Sequence, residues 1–116
     1  MKKILKSVLL KREKRKLRKE IRLKDKAWKE SILKRDSNTC QICKKQFGNR
    51  GMATHHILPR EFKELRWDIM NGLTLCSSHH HWNKFSAHQN SLWFSLWLQK
   101  NKPLQFEYLE KSIDLI

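Results

Sequence analysis

The chain has 116 residues, 39% of them apolar, with 26 Lys and Arg against 11 Asp and Glu, a net charge of +15. That length allows one small domain with an appendage, and that charge points to a polyanionic partner: nucleic acid or an anionic membrane surface. No stretch approaches the ~20 apolar residues of a membrane span, and three cysteines, an odd number, argue against a disulfide framework and for a reducing compartment.

Residues 1–35 hold 16 Lys and Arg against 4 Asp and Glu, so 12 of the 15 net charges lie there. The run starts like a signal peptide, but Lys6 interrupts its apolar stretch and Lys11-Arg12 ends it without a small-residue cleavage site. An intracellular, cytoplasmic protein is therefore expected. The segment lacks Gly and Pro and is rich in Lys, Arg, Glu and Leu, which predicts a long basic helix or a helix in two pieces. Leu10, Leu17, Ile21, Trp28 and Ile32 form a narrow apolar stripe, expected to dock on the globular part or on a second copy as a homodimer. The bland alternative for the charge is a solvated, frayed tail. A membrane-surface helix is disfavoured because aromatic anchors are scarce in the first half, and no membrane partner is expected.

Asp36-Ser-Asn-Thr39 breaks the helix, and Phe47-Gly48-Asn49-Arg50-Gly51 is turn chemistry. Met52 to Leu58 reads as a strand closed by Pro59. Arg60 to Trp67 reads as a short helix or an irregular loop. Asp68 to Gly72 is expected to turn, with Gly72 supplying backbone freedom. Leu73 to Leu75 is a second strand, and Ser77 or Ser78 is placed to cap a helix through His79, His80, Trp82 and Lys84. On that helix His79 and His80 would point about 100° apart, with Lys84 one turn beyond His80 on its face. Trp93, Phe94, Trp97 and Leu98 lie at helical spacing as core, and Pro103 opens a last packing helix with Phe106, Tyr108, Leu109 and Ile113.

Two sets of metal-binding side chains interleave between Cys40 and Lys84. Cys40, Cys43, Cys76 and His79 read as C-x2-C followed by C-x2-H, three thiolates and an imidazole that close a tetrahedral shell around a structural Zn2+. So small a domain commonly needs such a staple. The second set is His55, His56, Asn71 and His80. Phosphodiester hydrolysis needs a base for water, an ion to absorb charge on phosphate, and something to hold the base. His56 suits the first need, His55 with His80 the second, and Asn71 the third. Adjacent residues on a regular strand point to opposite faces, so His55 and His56 would need a local irregularity to share one cleft. Without one, they are a buried and an exposed strand histidine.

With Cys40-x2-Cys43, His55-His56-Ile57 and Asn71-x4-Cys76-x2-His79-His80 in this order, residues 36–85 resemble the HNH endonuclease family. The resemblance implies an α+β fold: a small zinc-stapled ββα-metal (HNH) core with a long basic N-terminal helix and C-terminal helices. Residues 1–35 would be the basic helical extension and residues 36–116 the nuclease domain. It further implies His55 and His80 as ligands of a catalytic divalent ion (Mg2+, Mn2+, Ni2+ or Zn2+) and His56 as general base. Asn71 would orient the base and its loop. His79 stands where the family usually has a fourth cysteine, a change zinc tolerates. Asn83 stands where a basic residue often follows, with Lys84 beside it. His81 and His88 match no firm position; both are expected as surface or packing histidines, with a supplementary ligand as the alternative.

The expected function is metal-dependent cleavage of DNA phosphodiesters, leaving 5′-phosphate and 3′-hydroxyl ends by family analogy. Lys14, Arg15 and Arg18 of the basic helix, with Arg60, Arg66 and Lys84, would contact phosphates. A small nuclease of this kind suits a phage or mobile element. The rivals are a zinc-knuckle nucleic-acid-binding protein without catalysis, and an RNA-directed enzyme or RNA-binding protein.

Overall fold

The 34-residue stretch without Gly or Pro folds as one uninterrupted helix, α1 (Lys2–Arg35), about 51 Å long at 1.5 Å per residue. The computed structural model describes residues 2–48 and 51–116, so the expected turn at 47–51 lies partly outside the described residues. The stripe docks on the globular part only at its C-terminal end. Trp28 and Ile32 are buried and Ile21 half-buried, whereas Leu10 and Leu17 have nothing to face and stay exposed. Roughly the first twenty residues of α1 project from the body.

The helix ends where Ser37 and Asn38 take positive φ (54° and 51°) and the Asn38 N–H turns back to the Leu33 carbonyl, satisfying a carbonyl at the open helix end. Arg35 donates to the carbonyls of Ile69 and Gly72, and the Asp36 carboxylate accepts the Thr74 N–H. The end of α1 is thereby clamped to the second strand.

β1 (Met52–His56) and β2 (Gly72–Cys76) pair antiparallel in unbroken register from Met52↔Cys76 to His56↔Gly72. β1 stops at His56, two residues short of the expected strand. Between the strands Lys63–Leu65 and Ile69–Asn71 are single 3-10 turns. β2 is buried along its whole length, between α1 on one side and the core of Cys40, Met52, Ala87 and Phe94 on the other.

The conformational role expected of Gly72 is not the one it has. Its φ of −147° is extended backbone open to any residue. What it needs is space: a Cβ there would collide with Ile32 Cδ1 and lie 2.6 Å from Trp28 Cζ2. Gly72 lets α1 lie directly on the sheet.

The helix expected through Lys84 is also shorter and wider. Ser78–Trp82 is one π-helical turn, closed by the Asn83 N–H on the Ser78 carbonyl, and Ser77 makes no side-chain cap. After it the chain folds back, with the N–H groups of Ala87 and His88 donating to the carbonyls of His79 and His80. α2 (Ser91–Asn101) is capped by Asn90, and α3 (Pro103–Leu115) begins at Pro103. Phe94 and Leu98 are fully buried, Trp93 and Trp97 partly. On α3 Leu109 is buried and Phe106 half-buried, while Tyr108 and Ile113 are exposed. The result is an α+β fold, and among the described residues no helix is long and apolar enough to cross a membrane.

Candidate metal centres and active site

The first knuckle is held by backbone. The Lys44 N–H donates to the Cys40 carbonyl, with Lys44 at positive φ, and the Cys40 N–H donates to the Lys45 carbonyl. This turns Cys40 and Cys43 toward Cys76 at the end of β2 and His79 in the π-turn. Cys76 Sγ lies 3.2 Å from His79 Nδ1, Cys40 Sγ lies 3.9 Å from the same nitrogen, and Cys43 and Cys76 Sγ are 4.0 Å apart. Around a tetrahedral ion with Zn–S bonds of ~2.3 Å, neighbouring sulfurs lie about 3.8 Å apart, so the four side chains fit zinc. Burial, with Cys40 and Cys43 beside it, pushes the Cys76 thiol up to about 11. The Cys76 thiol resists ionising until a doubly charged ion joins it. The Cys3His cluster thus has the donors and spacing that suit a closed, tetrahedral zinc ion.

The π-turn separates the next two side chains as the helix was expected to: His79 turns to the sulfurs and His80 to the other side. There His55 and His80 meet a third imidazole, His88, and the ligand nitrogens of all three lie within 4.8 Å of one another. The Nε2 atoms of His80 and His88 are 3.0 Å apart. Two nitrogens bonded at ~2.1 Å to one ion at a right angle would be about 3.0 Å apart, so the trio fits a divalent cation. Burial and the neighbouring His80, His88, His56 and His81 push His55 down to about 3. Burial, His81 and His88 bring His80 to about 4. At neutral pH both rings are uncharged and keep the lone pair that ligation requires. His88, expected as a surface or packing residue, is therefore part of the cluster. His81 is exposed and stacks on His88 with centroids 4.4 Å apart.

β1 is regular, so His55 and His56 turn to different sides of the hairpin, and no irregularity brings them together. A cleft of about 610 Å³ nevertheless reaches both, because Ile57, Pro59 and Arg60 carry its wall around the end of the strand. His56 lies flat on Trp28, with centroids 3.8 Å apart and planes 7° from parallel. Its Nε2 sits 2.9 Å from the Arg66 carbonyl. A carbonyl only accepts, so Nε2 carries the proton and Nδ1 keeps the lone pair. Burial lowers the pKa of His56 and the Arg66 carbonyl opposes that shift.

Asn71 is fully buried and makes no side-chain hydrogen bond to His56. Its Oδ1 accepts the Leu58 N–H at 2.7 Å, and its Nδ2 donates to the carbonyls of Leu58 and Leu65, each at 3.0 Å. It ties both ends of the loop that leads into Arg66.

The expected phosphate-binding side chains divide. Arg60 is exposed on the cleft wall, and Lys14, Arg15 and Arg18 lie on the exposed stretch of α1. Arg66 instead forms a two-pronged ion pair with Asp25 at 3.0 and 2.7 Å, and Asp25 also accepts the Trp67 indole N–H. Lys84 is not one turn beyond His80, because the π-turn ends at Trp82; its ammonium sits over the Phe85 ring and is not part of the cleft.

A family model described as HNH endonuclease matches residues 40–89, a span that contains both clusters, His56 and Asn71. No curated protein and no solved structure matches the chain.

Proposed function

We propose that this chain, whose residues 40–89 match the HNH endonuclease model, is a metal-dependent endonuclease that hydrolyses DNA phosphodiester bonds. The observation that carries this reading is one cleft lined both by a three-imidazole cluster and by a histidine whose tautomer is fixed. A binding module has no need of either.

His55, His80 and His88 would hold a divalent ion, of Mg2+, Mn2+, Ni2+ or Zn2+. When bound, such an ion supplies positive charge to the phosphate oxygens and to the departing 3′-oxygen. His56 acts as general base. With its proton held on Nε2 by the Arg66 carbonyl, Nδ1 takes the proton of the water that attacks phosphorus in line with that oxygen. Trp28 beneath the ring restricts its rotation. Asn71 acts at one remove, by fixing the loop that presents the Arg66 carbonyl. Arg60 on the cleft wall meets a phosphate next to the reacting one. The Cys3His zinc takes no chemical part: with no open position, it anchors the π-turn from which His80 projects.

The test is plasmid nicking with each of the four ions, comparing wild type with His56→Ala. Metal-dependent nicking by wild type, reduced at least about a hundredfold in the variant, is expected for loss of a general base. Equal DNA binding with no metal-dependent cutting by either protein would leave a zinc-knuckle binding module in its place.

A further inference from the structure

Three hollows run into one another where α1 crosses the sheet. The histidine cleft shares Thr54, His56 and Arg60 with a hollow bordered by Asp25, Trp28 and Lys29. That hollow shares Asp25 with a third, of about 580 Å³, walled by Arg15, Arg18, Arg22 and Arg66. Their shared walls place the three in series from the cleft along one flank of α1.

That flank is sorted by charge. At about 100° per residue, Lys11, Arg15, Arg18, Arg22 and Lys29 fall within an arc of about 60°. All five are exposed, and none pairs with a carboxylate among the described residues. Glu13, Glu20 and Glu30 fall outside the arc by the same count. Asp25, which borders the row, is already taken up by Arg66 and Trp67. A merely solvated basic tail would have no reason to segregate its acids from the side that continues the cleft.

We propose that this row is a phosphate track for duplex DNA, running from the cleft along α1 for about 27 Å, or roughly eight base pairs. The proposal rests on the nuclease reading for what lies at the near end of the track. Duplex follows from the chemistry of the row. Channels for single strands interleave charge with aromatic faces on which bases stack, and the row contains none. Trp28 is buried beneath His56, and Trp67 carries Lys24 and Arg66 over its ring. A surface of cations alone suits a polymer whose bases are turned inward and whose phosphates are outermost. The row sets how much DNA beside the cut must be present, and it reads no sequence.

The test measures binding in the His56→Ala background, so it is decided whether or not the protein cuts. Full-length, zinc-loaded protein is titrated by fluorescence anisotropy onto a labelled duplex of about 30 base pairs, and onto the equal single strand, over a series of salt concentrations. Arg15→Gln/Arg18→Gln/Arg22→Gln is expected to lower the slope of log K against log salt by about 2.7 and to weaken duplex binding by about tenfold or more. Arg12→Gln/Lys16→Gln/Lys34→Gln removes the same charge from other sides of α1 and is expected to leave the slope within about one unit of the parent. Arg15→Lys/Arg18→Lys/Arg22→Lys, expected to keep most of the slope, separates lost charge from a damaged fold. Equal losses from the two glutamine triples would make α1 an undirected basic tail and overturn the track. Single-strand binding as tight as duplex binding would overturn the substrate. Absence of nicking by wild type with any ion would sink the nuclease reading and leave these binding results standing.

Discussion

Trp28 of α1 lies face to face with His56 of β1, ring centroids 3.8 Å apart. The helix that supplies Trp28 ends before the family match begins, at residue 40. The same helix supplies Asp25, which holds Arg66, whose carbonyl in turn holds the His56 Nε2–H. One wall of the surroundings of His56 is thus built by a segment outside the matched domain, and α1 is structural in its last third whatever its exposed part binds.

Trp28 also donates its indole N–H to the Asp68 carbonyl at 2.8 Å. Trp28→Phe keeps an aromatic face for His56 but abandons that carbonyl, at an expected cost of about 1–3 kcal/mol with most of kcat retained. Trp28→Ala is expected to cost about 3–5 kcal/mol and to lower kcat about tenfold or more as the imidazole gains freedom, with KM little changed. Urea unfolding and nicking kinetics on both variants check this. An alanine variant that stays folded with unaltered kcat would show that the stack does not position the base.

The two candidate metal centres should be separable by mutation. Cys43→Ser is expected to lose the structural zinc and with it the fold, since such sites contribute on the order of 10–16 kcal/mol and a domain of this size has about 5–15 to lose. His88→Ala is expected to keep one zinc per chain and an unchanged unfolding midpoint while metal-stimulated nicking falls at least about tenfold, the scale of loss seen even for residues that only support a ligand. Elemental analysis alongside thermal unfolding reads both. Loss of the tightly held zinc in His88→Ala would mean that the clusters are not independent.

His88 also marks a limit of the sequence. Cys40, Cys43, Cys76 and His79 are legible because a two-residue spacer in a tight knuckle fixes its own geometry, and Trp28 and Ile32 because four-residue spacing marks one helix face. His88 lies eight positions beyond His80, and on a regular helix the two would be about 12 Å apart. They meet only because the chain reverses after the π-turn and the Ala87 and His88 N–H groups bond back to His79 and His80. Lys84 misleads for the complementary reason: its expected position extrapolates a helix that Asn83 ends. How far the apolar stripe of α1 docks was likewise hidden, because Leu10 and Leu17 keep the same spacing as Trp28 and Ile32 but have no sheet beneath them. Local geometry can be read from spacing; what lies opposite cannot.

Gly72 offers a test of the contact between α1 and the sheet. Gly72→Ala drives a methyl group into Ile32 and Trp28, and overpacking of this kind costs about 1–3 kcal/mol. Ile32→Val removes the nearest carbon, so the double variant is expected to be less destabilised than the two single changes added together, by about 0.5 kcal/mol or more. Denaturant unfolding of the four proteins closes the cycle. Simple additivity would place the strain elsewhere than at Ile32.

Asp36 makes stability depend on pH. Burial by itself would raise its carboxyl, but the Arg35 guanidinium and the Thr74 N–H outweigh burial and hold it below the ordinary value of 3.8. Between the folded and unfolded values the unfolded chain binds more protons, so stability there rises with pH. The contribution of Asp36 is complete above the unfolded value and is lost as pH falls through the lower, folded one. Asp36→Asn keeps the shape, forfeits the charge, and is expected to cost about 1–3 kcal/mol at neutral pH. The gap to wild type should then narrow below about pH 4. Acid release of zinc weakens both proteins alike and drops out of the difference. Urea unfolding of the pair, down to the lowest pH at which both fold, measures that gap. A gap constant across the range would mean that Asp36 clamps the end of α1 to β2 by shape and hydrogen bonding alone, with its charge contributing nothing.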